Sequence, residues 1–207
     1  AATGQLTLTV QQHTAATADQ PTKLPLLLPV AVELLFADGT QQQHLFTLTQ
    51  AEQNFVVSAL PAEPVVVWFA HFSAPVKLQH HLTEQELLII AANATDGVAR
   101  WDAMQQYWSQ QIAKLMQGET ITSVLSATLL NTVQSWLQTP GDDLALTAEL
   151  LTLPDFDTLA EQHQQIPVDG ILLALQSLKQ GLAQQLHQAF LQENSLIILF
   201  IFQLFLG

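Results

Sequence analysis

The chain contains no cysteine. That excludes a disulfide framework, a cysteine-bearing zinc knuckle and a thiol nucleophile, and it fits a reducing, cytoplasmic compartment. Cations are nearly as scarce. Five Lys plus Arg stand against 18 Asp plus Glu in 207 residues, for a formal net charge of −13. Both halves of the chain are acidic. Sequence-independent nucleic-acid binding needs several phosphate-neutralising cations, and an anionic membrane surface makes the same demand. Neither partner is expected. The N-terminus, Ala1 to Leu8, has no basic region followed by an apolar one, so no signal peptide is expected. It also lacks an initiating Met, which suggests a piece of something longer.

The common signatures of chemistry are missing too. Seven histidines are present: His13, His44, His71, His80, His81, His163 and His187. No two are spaced i, i+4, so no His-Glu-x-x-His helix exists to grip zinc. Neighbours on a strand point to opposite faces, so His80 and His81 cannot easily share a metal. His71 falls in line with Val65, Val67 and Phe69 and reads as a core or rim histidine. His81-x-x-Glu84 is a weak coincidence. There is no Gly-x-Ser-x-Gly elbow and no glycine-rich phosphate loop. The paired carboxylates Asp142-Asp143 and Asp155/Asp157 sit where helices begin, where capping explains them more simply than acid–base work. Trp68, Trp101, Trp108 and Trp136 fall at strand or helix spacing and read as core. No catalytic, metal-binding or substrate-binding residue is expected.

What is present suffices for a sizeable core, since 49% of the residues are hydrophobic and only 11% charged. Glutamine is frequent where Glu and Lys are usual on helix surfaces, and it reads as a surface bias. Up to about Ala92 the pattern is β. Leu6–Val10 and Val30–Phe36 alternate apolar and polar. Asp38-Gly39 predicts a type I′ hairpin turn, with Gln42–Thr49 returning. Asn54–Ser58 is another strand. Val65–Phe72 is apolar on both faces, as in the centre of a sandwich. Val76–Leu82 and Glu86–Ala91 complete about seven strands, the pattern of an immunoglobulin-like antiparallel β-sandwich.

From Asn93 the period changes to helical. Asn93 or Asp96 caps a helix whose apolar residues include Val98, Trp101, Met104, Trp108, Ile112 and Leu115, with Gly118 past its end. Its two tryptophans are expected to dock it on the β half. Further helices are expected over Ser123–Gln138, from Asp142 or Asp143 to Leu153, from Asp155 to Ala160, and from Pro167 to about Gln192. Short loops between them suggest an antiparallel bundle or solenoid. Leu196–Leu206 is almost wholly apolar but too short to span a membrane, which takes about 20 residues. It reads as a buried helix or as a patch that wants a partner. The expected organisation is therefore two domains, 1–92 and 93–207, β then α.

Several segments together resemble a known family. These are Thr7–Gln20, Leu28–Leu34, Thr49–Phe55, Phe72–Leu78, Asp96 with Arg100–Ala103, and Ala148–Pro154. In the same order they are similar to the bacterial aminopeptidase N group of M1 zinc metallopeptidases. The resemblance implies four domains in such an enzyme, of which this chain would be the β-sandwich and the start of the helical C-terminal domain. It implies zinc-dependent removal of N-terminal residues from peptides. The family's His-Glu-x-x-His and Gly-x-Met-Glu-Asn motifs have no counterpart here, so the zinc and the chemistry would belong to the absent catalytic domain, the expected partner of this piece. Arg100, Trp101 and Asp102 match a family motif, and with Trp108 they are expected to be structural. The run Ile197–Phe202 departs from the family pattern. The competing expectation is a stand-alone immunoglobulin-like module that binds a peptide or protein.

Overall fold

The computed structural model describes residues 4–139 and 143–192, with side chains to residue 186. The chain divides into two compact units. One comprises the described residues up to His81 together with Asn93–Ala99, and the other comprises Leu82–Ala92 and the described residues from Arg100 onward.

The first unit is built from five strands: β1 (Gly4–Gln11), β2 (Leu28–Leu35), β3 (Gln41–Leu48), β4 (Glu52–Leu60) and β5 (Val65–Trp68). β1 pairs antiparallel with β4 in one sheet, and β3-β2-β5 form a second antiparallel sheet. Side-chain alternation turns one face of each strand inward. Leu8 and Val10 of β1, Val30, Val32 and Leu34 of β2, Leu48 of β3, and Phe55 and Val57 of β4 form one buried cluster. Phe46 stacks on Phe55 with ring centroids 4.6 Å apart, joining the two sheets. This is the expected sandwich, with fewer strands than the sequence pattern suggested.

Three local departures have physical causes. The Asp38-Gly39 turn is not type I′, because only Gly39 has positive φ, at 83°. Gly39 N–H donates to Phe36 O and Phe36 N–H to Thr40 O, both at 3.0 Å. That is the three-residue hairpin loop in which a type I turn is followed by a left-handed glycine.

The apolar run Val65–Phe72 is not a central strand. β5 ends at Trp68 and lies at a sheet edge, and Ala70–Phe72 turn as a 3-10 helix. Phe69, His71 and Phe72 have φ of 52°, 56° and 54°, left-handed values unusual for residues with a Cβ. His71 is exposed, not a core or rim residue.

Val76–Leu82 forms no strand, and Glu86–Ala91 is helical. Thr83 and Glu86 make a reciprocal capping box: Thr83 N–H donates to Glu86 Oε2 at 2.8 Å, and Glu86 N–H to Thr83 Oγ1 at 3.3 Å. The run Leu88-Ile-Ile, with its two β-branched isoleucines, imitates a strand, but the box that begins five residues earlier at Thr83 fixes a helix start.

The second unit holds α1 (Glu84–Asn93), the body of α2 (Gly97–Met116), α3 (Ile121–Val124), α4 (Ala127–Gln138), α5 (Leu144–Leu151), α6 (Phe156–Ala160) and α7 (Val168–Gln192). Side-chain caps fix their starts. Ser126 accepts from Leu129 N–H at 3.2 Å, Asp143 from Leu146 N–H at 2.9 Å, and Asp155 from Thr158 N–H at 2.7 Å. Gly118, at φ 94°, closes α2 as expected. Leu125, Leu129, Val133 and Leu137 are all buried, although Ser126 restarts the helix between the first two. The buried face of α2 is rotated from the expected one. Ala103, Met104, Tyr107, Trp108, Gln111 and Ile112 are buried, while Val98 and Trp101 are exposed. The apolar run 196–206 lies outside the described residues, as do Pro140, Gly141 and Asp142. No helix among the described residues is long and apolar enough to cross a membrane.

Candidate functional site

Several polar side chains with specific geometry grip backbone. In the β unit they converge on the segment Asn93–Ala99, which leads into α2. Glu33, on β2, points to the face opposite Val32 and Leu34 and is completely buried. Its Oε2 accepts from Thr95 N–H at 3.1 Å. From β3, Gln41 Nε2 donates to Asn93 O at 2.8 Å, and Gln43 Nε2 to Thr95 Oγ1 at 3.4 Å. Asp96 accepts twice: Oδ2 from His71 N–H at 2.8 Å and Oδ1 from Val98 N–H at 3.1 Å. The second bond caps α2, so Asp96, not Asn93, is the cap. The first holds the left-handed turn at His71. A segment far along the chain is thereby fixed by three strand side chains and by its own Asp96.

The helical unit has a matching device. A helix leaves its last carbonyls without internal partners. At the end of α5, Trp108 Nε1–H donates to Leu150 O at 3.1 Å and Gln105 Nε2 to Thr152 O at 2.8 Å. At the end of α1, Arg100 Nε donates to Ala91 O at 2.7 Å. Burial pulls the Arg100 guanidinium below the usual arginine value, and the Asp143 carboxylate pushes it back up. Arginine's ordinary pKa is high enough that the charge persists at neutral pH.

The four residues singled out in the sequence therefore have different surroundings. Trp108 is fully buried, with Tyr107 edge-on at 5.7 Å. Its indole serves the helical unit's own core. Arg100 is half-buried on a helix-end carbonyl. Trp101 is 40% exposed. Asp102 is exposed and accepts from Gln106 Nε2 one turn on, at 2.8 Å. Sequence reasoning missed Glu33, Gln41, Gln43 and Gln105. A lone charge inside an alternating apolar strand was the available signal for Glu33; the glutamines offered none.

Two cavities lie in the helical unit. The larger, about 490 Å³, lies along α7 and the end of α2; its lining includes Glu119 and Ser177 but no histidine or cation. The smaller, about 220 Å³, includes Asp155 and Lys179, and Asp155 is committed to its cap. No three His, Asp or Glu side chains among the described residues are grouped to hold a metal ion. A catalytic zinc takes three protein ligands, and the described residues do not bring three together.

An immunoglobulin-like sandwich followed by a helical segment defines the class of domain pair. A family profile described as a domain of unknown function with ARM repeats (DUF3458_C) matches residues 84–195, and one described as having an Ig-like fold (DUF3458) matches residues 1–81. The chain belongs to this family, whose two domains are those of aminopeptidase N. Aminopeptidase N of Escherichia coli (strain K12) is 34% identical over 197 residues, covering 89% of this chain and 22% of the relative. The Haemophilus influenzae aminopeptidase N is 32% identical over 198 residues, covering 89% and 23%. The chain thus spans less than a quarter of the length of either. The crystal structure of Legionella pneumophila aminopeptidase A in complex with aspartic acid shares the fold, with a TM-score of 0.75 at 23% identity, over 91% of this chain and 21% of that one.

Proposed function

We propose that this chain is a non-catalytic structural part of a cytoplasmic M1 zinc aminopeptidase, an enzyme that removes N-terminal amino acids from peptides. The similarity to aminopeptidase N along 89% of the chain carries this reading. Several polar groups support it: one oxygen of the Glu33 carboxylate, the Gln41 and Gln105 amides and the Trp108 indole are hydrogen-bonded to backbone. The proposed role is to keep each domain's own framework rigid, the segment 93–99 anchored on the β unit and the helix ends anchored within the helical unit, so that each presents a constant surface to a catalytic domain. Zinc would be bound there and not by these residues.

The test is an assay of the purified 207-residue chain for peptide-bond cleavage and for bound zinc. The expected outcome is no turnover above a denatured control and no stoichiometric metal. Turnover that a chelator abolishes would refute the proposal. The positive arm is the parent enzyme carrying Glu33→Ala. Weakened activity with zinc content unchanged is expected of an architectural role; loss of zinc would instead place this region at the metal.

A further inference from the structure

We infer that the helical unit contains an internal hydration site, in which a buried water is hydrogen-bonded to the side-chain amide of Gln111 and the hydroxyl of Tyr107. Both residues are completely inaccessible to solvent. Both polar atoms of the Gln111 amide, and the Tyr107 oxygen, are buried without a hydrogen-bond partner among the described residues. The two residues lie four apart on α2 and so share one face. Their unmet needs are complementary to water: the amide offers donors and an acceptor, the phenol one of each. Three unpartnered atoms concentrated on one turn is far from the usual state of a protein interior, where buried polar groups are paired with protein or with ordered water.

The surroundings supply a third polar group. The Ser126 hydroxyl, on the residue that caps α4, lowers the Tyr107 pKa as a side-chain hydrogen-bonding neighbour, against burial, which raises it more; the two hydroxyls do not meet the geometry of a direct hydrogen bond. Ser126 Oγ is already the acceptor for Leu129 N–H. Glu84 also acts on Tyr107, raising its pKa through charge, and Glu84 itself is paired with Lys114. Lys114 continues the stripe of Tyr107 and Gln111 one turn on. This stripe therefore runs from a partly exposed ion pair into a polar site with no solvent access. A buried water commonly makes about three hydrogen bonds, and the Gln111 amide, the Tyr107 hydroxyl and the Ser126 hydroxyl supply that number. The inference does not depend on the proposed aminopeptidase role.

The test uses the full chain in two measurements. Water–protein NOE spectroscopy is expected to show a long-lived water contacting the Gln111 side-chain amide protons. Direct pairing of that amide with a protein group, with no such cross-peak, would overturn the inference. The second measurement is a thermal double-mutant cycle. Gln111→Leu and Tyr107→Phe are each expected to lower Tm by about 2–4 °C, the usual shift for a modest loss in a chain of this size. The double variant should lose clearly less than the sum, because neither partner is then left unmet. Singles that raise Tm, or losses that simply add, would show a dry site and refute the proposal. Should either single variant fail to fold, the NOE result on the unmodified chain decides alone.

Discussion

The two units solve one problem with a different emphasis, although carboxylates also cap α5 and α6 in the helical unit. In the β unit, backbone N–H groups are gripped by carboxylates: Thr95 N–H by Glu33, and His71 and Val98 N–H by Asp96. In the helical unit, the free carbonyls at helix ends are gripped by donors: Leu150 O by Trp108, Thr152 O by Gln105 and Ala91 O by Arg100. In a chain rich in acids and nearly bare of bases, N–H groups find anionic partners easily. Carbonyls must mostly make do with neutral donors. Glutamine fills that gap in both units, since Gln12 and Gln41 also donate to backbone carbonyls, at 2.8 Å to Leu26 O and Asn93 O. The glutamine excess is therefore more than surface bias. Part of it does the carbonyl-binding that lysine and arginine do elsewhere.

The comparison is broken most directly at Trp108, where one residue supplies both core volume and a donor. Trp108→Ala is expected to cost about 3–5 kcal/mol, the range for large-to-small core changes. Trp108→Phe keeps much of the ring but strands the Leu150 carbonyl, and it should cost roughly 1–3 kcal/mol. Denaturant unfolding followed by circular dichroism measures both. A loss under about 0.5 kcal/mol for the alanine variant, the ordinary range of surface substitutions, would mean the indole is not the helical unit's anchor.

Glu33 sharpens the other side. Removing it leaves the Thr95 N–H without its acceptor, at a cost of roughly 1–3 kcal/mol. Glu33→Gln retains an acceptor oxygen and should lose less. The decisive readout is amide exchange at Thr95. It should accelerate in Glu33→Ala while the amides of β1 and β4 keep their protection. Uniform acceleration through the β unit would show Glu33 to be a general core residue and not a specific grip on the segment 93–99.

How much of this was legible in the sequence depends on the range of the interaction. Local signals carried well. The alternation of Val30–Phe36, the glycine past α2, and Asp143 and Asp155 as caps all concern residues within a turn or a strand of one another. The errors arose where a local pattern was ambiguous. Leu88-Ile-Ile favours a strand by side-chain shape, and only the capping box at Thr83 and Glu86 reveals a helix. Val65–Phe72 is apolar throughout, and nothing in the run announces the left-handed turn that Asp96 stabilises 25 residues later. The anchors themselves were the least legible. Glu33 meets Thr95 across 62 residues and Gln105 meets Thr152 across 47, and no periodicity encodes such a pairing. The family resemblance named the architecture correctly without pointing to any of them.

Asp96 belongs to both schemes, since one oxygen caps a helix and the other holds a strained turn. Asp96→Ala should cost about 1–2 kcal/mol, near the upper end for a lost N-cap. Asp96→Ser restores a cap oxygen but not the second acceptor. The serine variant should therefore recover the stability of α2 while His71 N–H exchanges faster. If serine restores both, the bond to His71 contributes nothing and the left-handed turn is held by other contacts.

The smallest effects separate side-chain from backbone donors, with one exposed carboxylate in each unit. Asp38, in the hairpin loop, is held below its ordinary value first by the Thr40 hydroxyl and then by the Thr40 N–H. Asp155, the cap of α6, is lowered first by the Thr158 N–H and then by that residue's hydroxyl. Because each folded value lies below the unfolded one, the unfolded chain takes up the proton first on acidification. The contribution is thus complete above the ordinary carboxylate value of 3.8 and fades as the pH falls through the folded value. Carbon-detected NMR titration should find both midpoints below 3.8. Thr40→Ala removes the main cause at Asp38 and should move that midpoint up markedly. Thr158→Ala leaves the dominant backbone donor in place and should move Asp155 less. Equal shifts would show that the two carboxylates are held alike, and that the distinction between a turn built on a hydroxyl and a cap built on an N–H does not extend to these sites.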